Sequence, residues 1–244
     1  MPKAKYDEIY TDLREKVENG TYPYGSLLPS ENTLITYYDC SRNTIRRALA
    51  GLIEDGSVQA IHGKGVRVIY QPSGRASFTV GGIETFQETA RRNRFKVVTD
   101  VIQFSIITAD DMLAKQSGFS VGEAVYYIQR VRNLNGKPLI LDINVFSTTL
   151  IPGLTKEIAK KSIYAYIENE LGMQIVTSKR LITVEHATSL DKELLDLGDY
   201  NCLAVVSGQT FNADGVMFEY TQSRHQPDYF SFYDTATRRK GTGR

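Results

Sequence analysis

The sequence predicts an α+β protein with two parts, an N-terminal winged helix-turn-helix and a C-terminal antiparallel sheet with helices packed on it. Apolar residues recur at helical spacing through the first 54 residues, and a glycine-rich turn between two short strand-like runs follows them. Beyond residue 78, six strand-like runs are connected, in part by polar turns such as Asn135-Gly136 and Asp214-Gly215. Turns of this kind favour hairpins, and hairpins imply an antiparallel sheet.

Capping and turn residues predict where the helices and strands of the N-terminal part begin and end. The first helix has an apolar stripe and ends at Asn19-Gly20. Ser30 can cap a short second helix, and Asp39-Cys40 forms the turn after it. Ser41 caps a third helix that runs to about Glu54. The strands Ser57–Ile61 and Val66–Tyr70 then flank the tight connection His62-Gly63-Lys64-Gly65.

The second part is predicted to alternate strands with a few helices. The predicted strands are Val97–Ile107, Ala124–Asn133, Leu139–Phe146, Ile175–Glu185, Leu203–Asn212 and Val216–Gln226. The predicted helical segments are Glu84–Arg92, Ala109–Ser117, Thr155–Leu171, with a helix start at Ser162 inside it, and Leu190–Leu197.

Composition sets the domain boundaries and the compartment. We expect one domain over 1–70, a Pro/Ser/Gly-containing linker over 71–77, a second domain over 78–238, and a basic tail over 239–244. The chain lacks the run of ~20 apolar residues that a membrane helix needs. It begins with a polar helix, and Cys40 and Cys202 lie far apart in sequence. These features predict a cytoplasmic protein with unpaired, buried thiols.

The third predicted helix is the most informative segment. Its face formed by Ile45, Ala48, Leu49 and Leu52 is apolar, whereas Arg42, Asn43, Arg46 and Arg47 project elsewhere. Recognition helices contact base edges chiefly through their N-terminal residues. Arg42, at the first helical position, can present its planar guanidinium to N7 and O6 of guanine.

Each of these features has a plainer interpretation when taken alone. An arginine-rich surface helix, a helix start at Leu28-Pro29-Ser30-Glu31 and a hairpin at Gly63-Lys64-Gly65 need no ligand. Their occurrence in this order within 70 residues favours a DNA-binding head. Residues 1–70 hold nine Lys/Arg and nine Asp/Glu, so one head has no net charge with which to bind DNA tightly. We therefore expect a homodimer on palindromic operator DNA.

The first 70 residues resemble the GntR family of transcription regulators. The resemblance covers residues 3–70 and rests on Leu28-Pro29-Ser30-Glu31, on Ser41 to Leu49, and on Gly63-Lys64-Gly65. It implies DNA contacts at the positions of Ser30, Asn32, Ser41, Arg42, Thr44, Arg46, His62 and Gly63, although the family often has a longer or charged residue at the position of Asn32. The full candidate set is Ser30, Glu31, Asn32, Ser41, Arg42, Asn43, Thr44, Arg46, Arg47, His62, Gly63, Lys64 and Gly65.

Polar residues at strand spacing predict a ligand site in the second domain. Arg130 and Arg132 lie on one strand with their side chains on the same side, and together they can hold a phosphate. Ser162 begins a helix, where an anion is favoured. Glu219, Thr221, Ser223 and His225 share a face, and Asp142 is a carboxylate among apolar residues. The plainer alternatives are alternating surface charge for the arginines, simple capping for Ser162 and a structural salt bridge for Asp142.

This second domain is similar to the effector domain of the HutC subfamily, which shares its fold with chorismate lyase. The similarity rests on Arg130-Val131-Arg132, Asn135 to Pro138, Asp142, Pro152-Gly153-Leu154, Ser162 to Glu168, Leu171-Gly172 and Glu219 to His225. In members that respond to sugar phosphates it implies that the positions of Arg130, Arg132, Ser162 and Tyr164 hold the phosphate, and that those of Asp142, Glu219 and His225 face the sugar. The loop Gly81–Phe86 would supply backbone N–H groups.

The pattern looks most like the members that repress trehalose operons and are induced by trehalose 6-phosphate, which predicts that function here. Other members of the class, such as those answering to glucosamine 6-phosphate, would share the phosphate site, and an activator is a further alternative. A sugar-phosphate or lyase-like enzyme is the rival class. The three histidines, His62, His186 and His225, show neither zinc-ligand spacing nor a nucleophilic triad. We expect no catalytic residue, metal or cofactor, and no membrane partner.

Overall fold

The computed structural model describes residues 5–71, 77–79, 83, 90 and 95–233. The chain divides into two compact units, one formed by residues 1–74 with 79–81 and 232–244, and the other by residues 75–78 and 82–231. Most of the helix predicted over Glu84–Arg92, most of the linker predicted over 71–77 and the tail predicted over 239–244 lie outside the described residues.

The first unit contains three helices and a two-stranded antiparallel ribbon. Its elements are α1 (Lys5–Glu18), α2 (Glu31–Tyr38), α3 (Arg42–Glu54), β1 (Val58–Ile61) and β2 (Gly65–Val68). Ser30 and Ser41 cap α2 and α3, each accepting a hydrogen bond from the backbone N–H three residues on. Between these helices Asp39 adopts φ 46°, which turns the chain. The side chains of Leu13, Ile45 and Leu52 are fully buried in the core. The predicted fold of this part is confirmed.

The second unit is built on a six-stranded antiparallel sheet with the order β4-β5-β6-β9-β8-β7. Each strand lies within two residues of its predicted ends: β4 (Val97–Thr108), β5 (Ala124–Leu134), β6 (Lys137–Ser147), β7 (Ile175–His186), β8 (Cys202–Asn212) and β9 (Met217–His225). Two short strands, β3 (Ser77–Thr79) and β10 (Ser231–Tyr233), pair with each other in a separate ribbon.

Four helices and a 3-10 turn complete the described elements of this unit. They are α4 (Asp111–Ser117), α5 (Lys156–Lys160), α6 (Ile163–Asn169), α7 (Ser189–Leu194) and the turn Pro227–Tyr229. The helical segment predicted over Thr155–Leu171 forms two helices, and the helix start predicted at Ser162 is present, because Ser162 leaves the helical conformation and caps α6. Ala159, Ile163 and Ile167 are spaced by four and are all buried, as one helix would place them, so the capping residue and not the apolar period shows the break.

The two faces of the sheet are covered by different helices. Ala159 of α5 and Ile163 and Ile167 of α6 pack in one apolar cluster with Ile128 and Phe146. A separate cluster on the opposite face joins Val131, Leu141, Leu203 and Val205 to Leu195 and Leu197 after α7. Cys40 and Cys202 are free and half-buried, less buried than predicted. None of the helices in the described ranges has the length and apolar character needed to cross a membrane.

Candidate DNA-binding surface and effector site

The helix α3 separates an apolar face from a cationic one. Ile45, Ala48, Leu49 and Leu52 are buried in the core of the first unit. Arg42, Asn43, Arg46 and Arg47 are exposed. Ser41 Oγ accepts a hydrogen bond from the N–H of Thr44 at 3.2 Å, which fixes the start of the helix. The first two turns of α3 therefore present a guanidinium-rich edge to solvent.

Neighbouring side chains orient the three arginines of this edge. Arg42 Nη2 donates to Oδ1 of Asn32 at 2.9 Å, and Arg46 Nε lies 3.1 Å from Oε2 of Glu31. The Arg47 guanidinium lies 3.6 Å from the centre of the Tyr6 ring. The carboxylate oxygens of Glu31 and the amide oxygen of Asn32 accept hydrogen bonds and so can orient the guanidinium groups. The start of α2 and the start of α3 thus form one continuous surface.

The hairpin between β1 and β2 forms an exposed wing. Gly63 and Gly65 have φ values of 72° and 106°, a region that favours glycine, so the tight turn depends on them. Lys64 lies between them, and an isolated bridge from Leu27 to Arg67 extends the ribbon. Of the predicted DNA-contacting residues, all are exposed except the half-buried Glu31 and Thr44; the exposed ones are Ser30, Asn32, Ser41, Arg42, Asn43, Arg46, Arg47, His62, Gly63, Lys64 and Gly65.

Strand register collects the predicted effector residues on one face of the sheet. Arg130 on β5 faces Asp142 on β6, which in turn faces Ser223 on β9. Because side chains alternate along a strand, residues two apart join the same face. Arg132 and Asn144 therefore lie beside Arg130 and Asp142, and Glu219, Thr221 and His225 lie in line with Ser223.

Asp142 forms a buried ion pair with Arg132. Arg132 Nε donates to Asp142 Oδ2 at 2.7 Å, and Ser223 Oγ donates to Asp142 Oδ1 at 2.6 Å. Arg132 Nη1 also donates to Thr99 Oγ1 at 2.7 Å. Burial acts to raise the pKa of Asp142, but Arg132 and Arg130 outweigh burial and hold it below its ordinary value. The salt bridge that was the alternative for Asp142 is therefore present.

Arg130 is buried in a different environment. Its Nε and Nη2 donate to Oδ1 of Asn144 at 3.1 and 2.8 Å, and its Nη1 donates to the carbonyl of Ala159 at 3.4 Å. Asp142 Oδ2 lies 3.9 Å from Nη2, beyond hydrogen-bond distance. Burial and the charge of Arg132 lower the pKa of Arg130 to about 9, so the group remains a cation near neutral pH.

Glu219 and Tyr164 connect this cluster to α6. The Tyr164 hydroxyl donates to Glu219 Oε2 at 2.5 Å, and Asn144 Nδ2 donates to Glu219 Oε1 at 3.3 Å. Burial raises the pKa of Glu219 against the opposing effects of Tyr164 and Arg130. Burial and the Glu219 carboxylate hold the pKa of Tyr164 well above its ordinary value, so Tyr164 remains a hydrogen-bond donor.

His225 and Ser162 complete the predicted set. His225 is buried, and burial lowers its pKa to about 4, against the effect of Asp142, so the ring is neutral at pH 7. Its ring centre lies 5.0 Å from that of Phe230. Ser162 Oγ accepts a hydrogen bond from the N–H of Ala165, as a capping residue does. Apart from Ile83, the predicted loop Gly81–Phe86 lies outside the described residues.

The cluster contains two arginines and two carboxyl groups, Asp142 and Glu219. Arg130 and Arg132 are opposed by the ionised Asp142, and Glu219 has a raised pKa. The prediction missed Asn144, Thr99 and Thr210, which hydrogen-bond the cluster. Asn144 could have been predicted from the two-residue alternation after Asp142, whereas Thr99 required knowledge of strand pairing.

Comparisons with known proteins identify the family of both parts of the chain. The profile of the bacterial regulatory proteins of the gntR family matches residues 5–68, and the UTRA domain profile matches residues 92–231. The HTH-type transcriptional regulator TreR of Bacillus subtilis is 37% identical over 240 residues, which cover 98% of this chain and all of TreR. The chain belongs to the GntR family of transcriptional regulators. The UTRA domain places this GntR-family protein in the predicted HutC subfamily.

Further relatives and solved structures support the fold of this GntR-family protein. The mannosyl-D-glycerate transport/metabolism system repressor MngR of Escherichia coli is 28% identical and covers 97% of this chain and 98% of its own. The effector-binding domain of the B. subtilis trehalose repressor is 38% identical with a TM-score of 0.54, covering 59% of this chain and 99% of that domain. The B. subtilis regulator YydK, at 24% identity, has a TM-score of 0.80 over 96% of this chain and 100% of its own, which supports the fold alone.

Proposed function

We propose that this GntR-family protein represses a trehalose-utilisation operon and is released from its operator by trehalose 6-phosphate. Residues 1–70 would bind DNA, 71–77 would link the two parts, 78–238 would bind the effector and dimerise, and 239–244 would form a basic tail. The observation that carries the proposal is the buried cluster around Arg130, whose positive charge is not matched by a hydrogen-bonded carboxylate.

A phosphate group fits this cluster by charge. The hydrogen bonds of Arg130 go to a neutral amide and a neutral carbonyl, so its charge can attract an anion. Arg130 contacts the carbonyl of Ala159, and the chain segment that follows Ala159 contains the N-terminus of α6 and Tyr164. A phosphate would compete with Asn144 and Glu219 for the donors of Arg130 and Tyr164.

A sugar fits the neighbouring polar face. Asp142 and Glu219 offer acceptors, and the neutral His225 can donate or accept a hydrogen bond. Thr221 and Ser223 add hydroxyl groups in line with them on β9. The relatives named for trehalose, TreR and its effector-binding domain, are also 37% and 38% identical to this chain, which supports trehalose as the sugar.

Operator recognition is assigned to α2, α3 and the wing. Arg42 is exposed at the start of α3, and the wing offers Lys64 between two glycines. The balanced charge of residues 1–70 limits the phosphate contacts of one head, so we include a homodimer in the proposal. An effector that couples to operator binding by ~1–3 kcal/mol would change operator affinity about 5–150-fold.

Titration of the protein–operator complex with sugars tests this function. Trehalose 6-phosphate is expected to release the operator, and its binding is expected to raise the thermal midpoint of the free protein. Trehalose without phosphate should act far more weakly. Unchanged operator affinity at saturating trehalose 6-phosphate contradicts the proposal, and release by glucosamine 6-phosphate instead would assign a different sugar. Conversion of the sugar phosphate on prolonged incubation would favour an enzyme.

Replacing Arg42 with alanine tests the DNA-binding surface. We expect a loss of ~1–3 kcal/mol in operator binding and a relaxed base preference, because a guanidinium can bond two acceptors on guanine. The matched variant Arg42→Lys keeps the charge but lacks the planar pair of donors, so it should recover affinity without base preference. Binding is measured on operator and random DNA. An equal loss on both DNAs would show that Arg42 contacts phosphates only.

A further inference from the structure

Asn144 lies at the centre of the buried cluster and has its hydrogen-bonding capacity filled. Its Oδ1 accepts from Nε and Nη2 of Arg130 at 3.1 and 2.8 Å. Its Nδ2 donates to Thr221 Oγ1 at 2.8 Å and to Glu219 Oε1 at 3.3 Å. An amide has two acceptor positions and two donor hydrogens, so these four contacts fix the side-chain orientation completely.

The two arginines of the cluster therefore have partners of different charge. Arg132 is held by the carboxylate of Asp142 at 2.7 Å, which neutralises it locally. Arg130 is held by the amide of Asn144, which is also buried and which orients the guanidinium without cancelling its charge. A carboxylate in the place of Asn144 would form a charge-assisted pair with Arg130 and would also face Glu219.

We propose that Asn144 is a positioning residue that determines selectivity for phosphorylated over neutral sugars, because its neutral amide holds Arg130 in place and leaves the guanidinium charge for the phosphate. This inference rests on the proposed function, since it concerns the same effector site. It assigns the anion preference chiefly to Arg130, and it assigns to Arg132 a structural role in the ion pair with Asp142.

The near-isosteric substitution Asn144→Asp separates charge from shape. Isothermal titration of the full-length protein with trehalose 6-phosphate and with trehalose gives two dissociation constants. The selectivity ratio is the Kd for trehalose divided by the Kd for trehalose 6-phosphate. We expect Asn144→Asp to lower this ratio by about tenfold or more, since a charge-assisted interaction with the phosphate is replaced by an internal one. A purely structural disturbance would weaken both sugars together and would leave the ratio unchanged.

The neutral substitution Asn144→Ser serves as the matched control. It removes the amide but introduces no charge, so both affinities should fall while the ratio stays within about threefold of the wild-type value. Circular dichroism melts report whether each variant is folded. If the aspartate variant does not fold, a tenfold loss of the ratio in Asn144→Ser would still overturn the inference.

A wild-type ratio in Asn144→Asp, or an equal loss of the ratio in Asn144→Ser, overturns this inference alone. A wild-type protein that binds no phosphorylated sugar overturns the proposed function as well.

Discussion

Replacement of Arg130 by methionine is expected to leave the protein bound to its operator at effector concentrations that release the wild type. Methionine keeps part of the aliphatic volume, but it removes the buried cation whose bonds go to Asn144 and Ala159. Hydrogen bonds to charged groups contribute about 1.5–3 kcal/mol, so effector affinity should fall about 10–150-fold. Titration of the protein–operator complex with trehalose 6-phosphate measures this change.

Two further variants make the Arg130→Met result specific. Lys115→Met removes an exposed cation at the end of α4, and it should respond to effector as the wild type does. Arg132→Met leaves Asp142 buried without its partner at 2.7 Å, so its main effect should be a lower thermal midpoint. Release of Arg130→Met at the wild-type effector concentration would remove this arginine from the phosphate site.

Replacement of Arg224 by methionine is expected to lower the free energy of unfolding by about 3–5 kcal/mol, as loss of one partner in a buried ion pair typically does. Arg224 lies on β9 but on the face opposite the effector site. Its Nε and Nη2 donate to the two oxygens of Asp191 at 2.8 and 2.9 Å, and Nη1 donates to Glu185 at 2.7 Å. Asp191 is fully buried and also caps α7 through Thr188, so the variant strands a buried carboxylate.

The exposed ion pair between Lys137 and Asp196 is the matched comparison. Its charged atoms lie 3.7 Å apart, and the side chains are 62% and 46% exposed. Lys137→Met should change stability by no more than about 1 kcal/mol, because water screens such a pair. Urea unfolding of the full-length proteins, followed by circular dichroism, measures both variants. A cost for Arg224→Met as small as that for Lys137→Met would show that the buried network contributes little.

The contrast between Arg224 and its neighbours on β9 shows what local sequence could predict. Alternation along the strand placed Glu219, Thr221, Ser223 and His225 on one face, and the strand pairings agree with that placement. The same alternation put Arg130 and Arg132 side by side on β5. These relations depend on covalent geometry over a few residues, so no knowledge of distant segments was needed.

The sequence by itself determined the helices and wing of the first unit, the six strands of the sheet and the faces on which their polar residues lie, because periodicity and capping are local properties. Tertiary structure decided the partner of each buried charge. Asn144 meets Glu219 and Thr221 only because β6 pairs with β9, and Arg224 meets Asp191 only because α7 packs on the opposite face. Such long-range pairings depend on the packing of the whole sheet. Local sequence therefore cannot show whether a buried arginine contacts a neutral or a charged side chain.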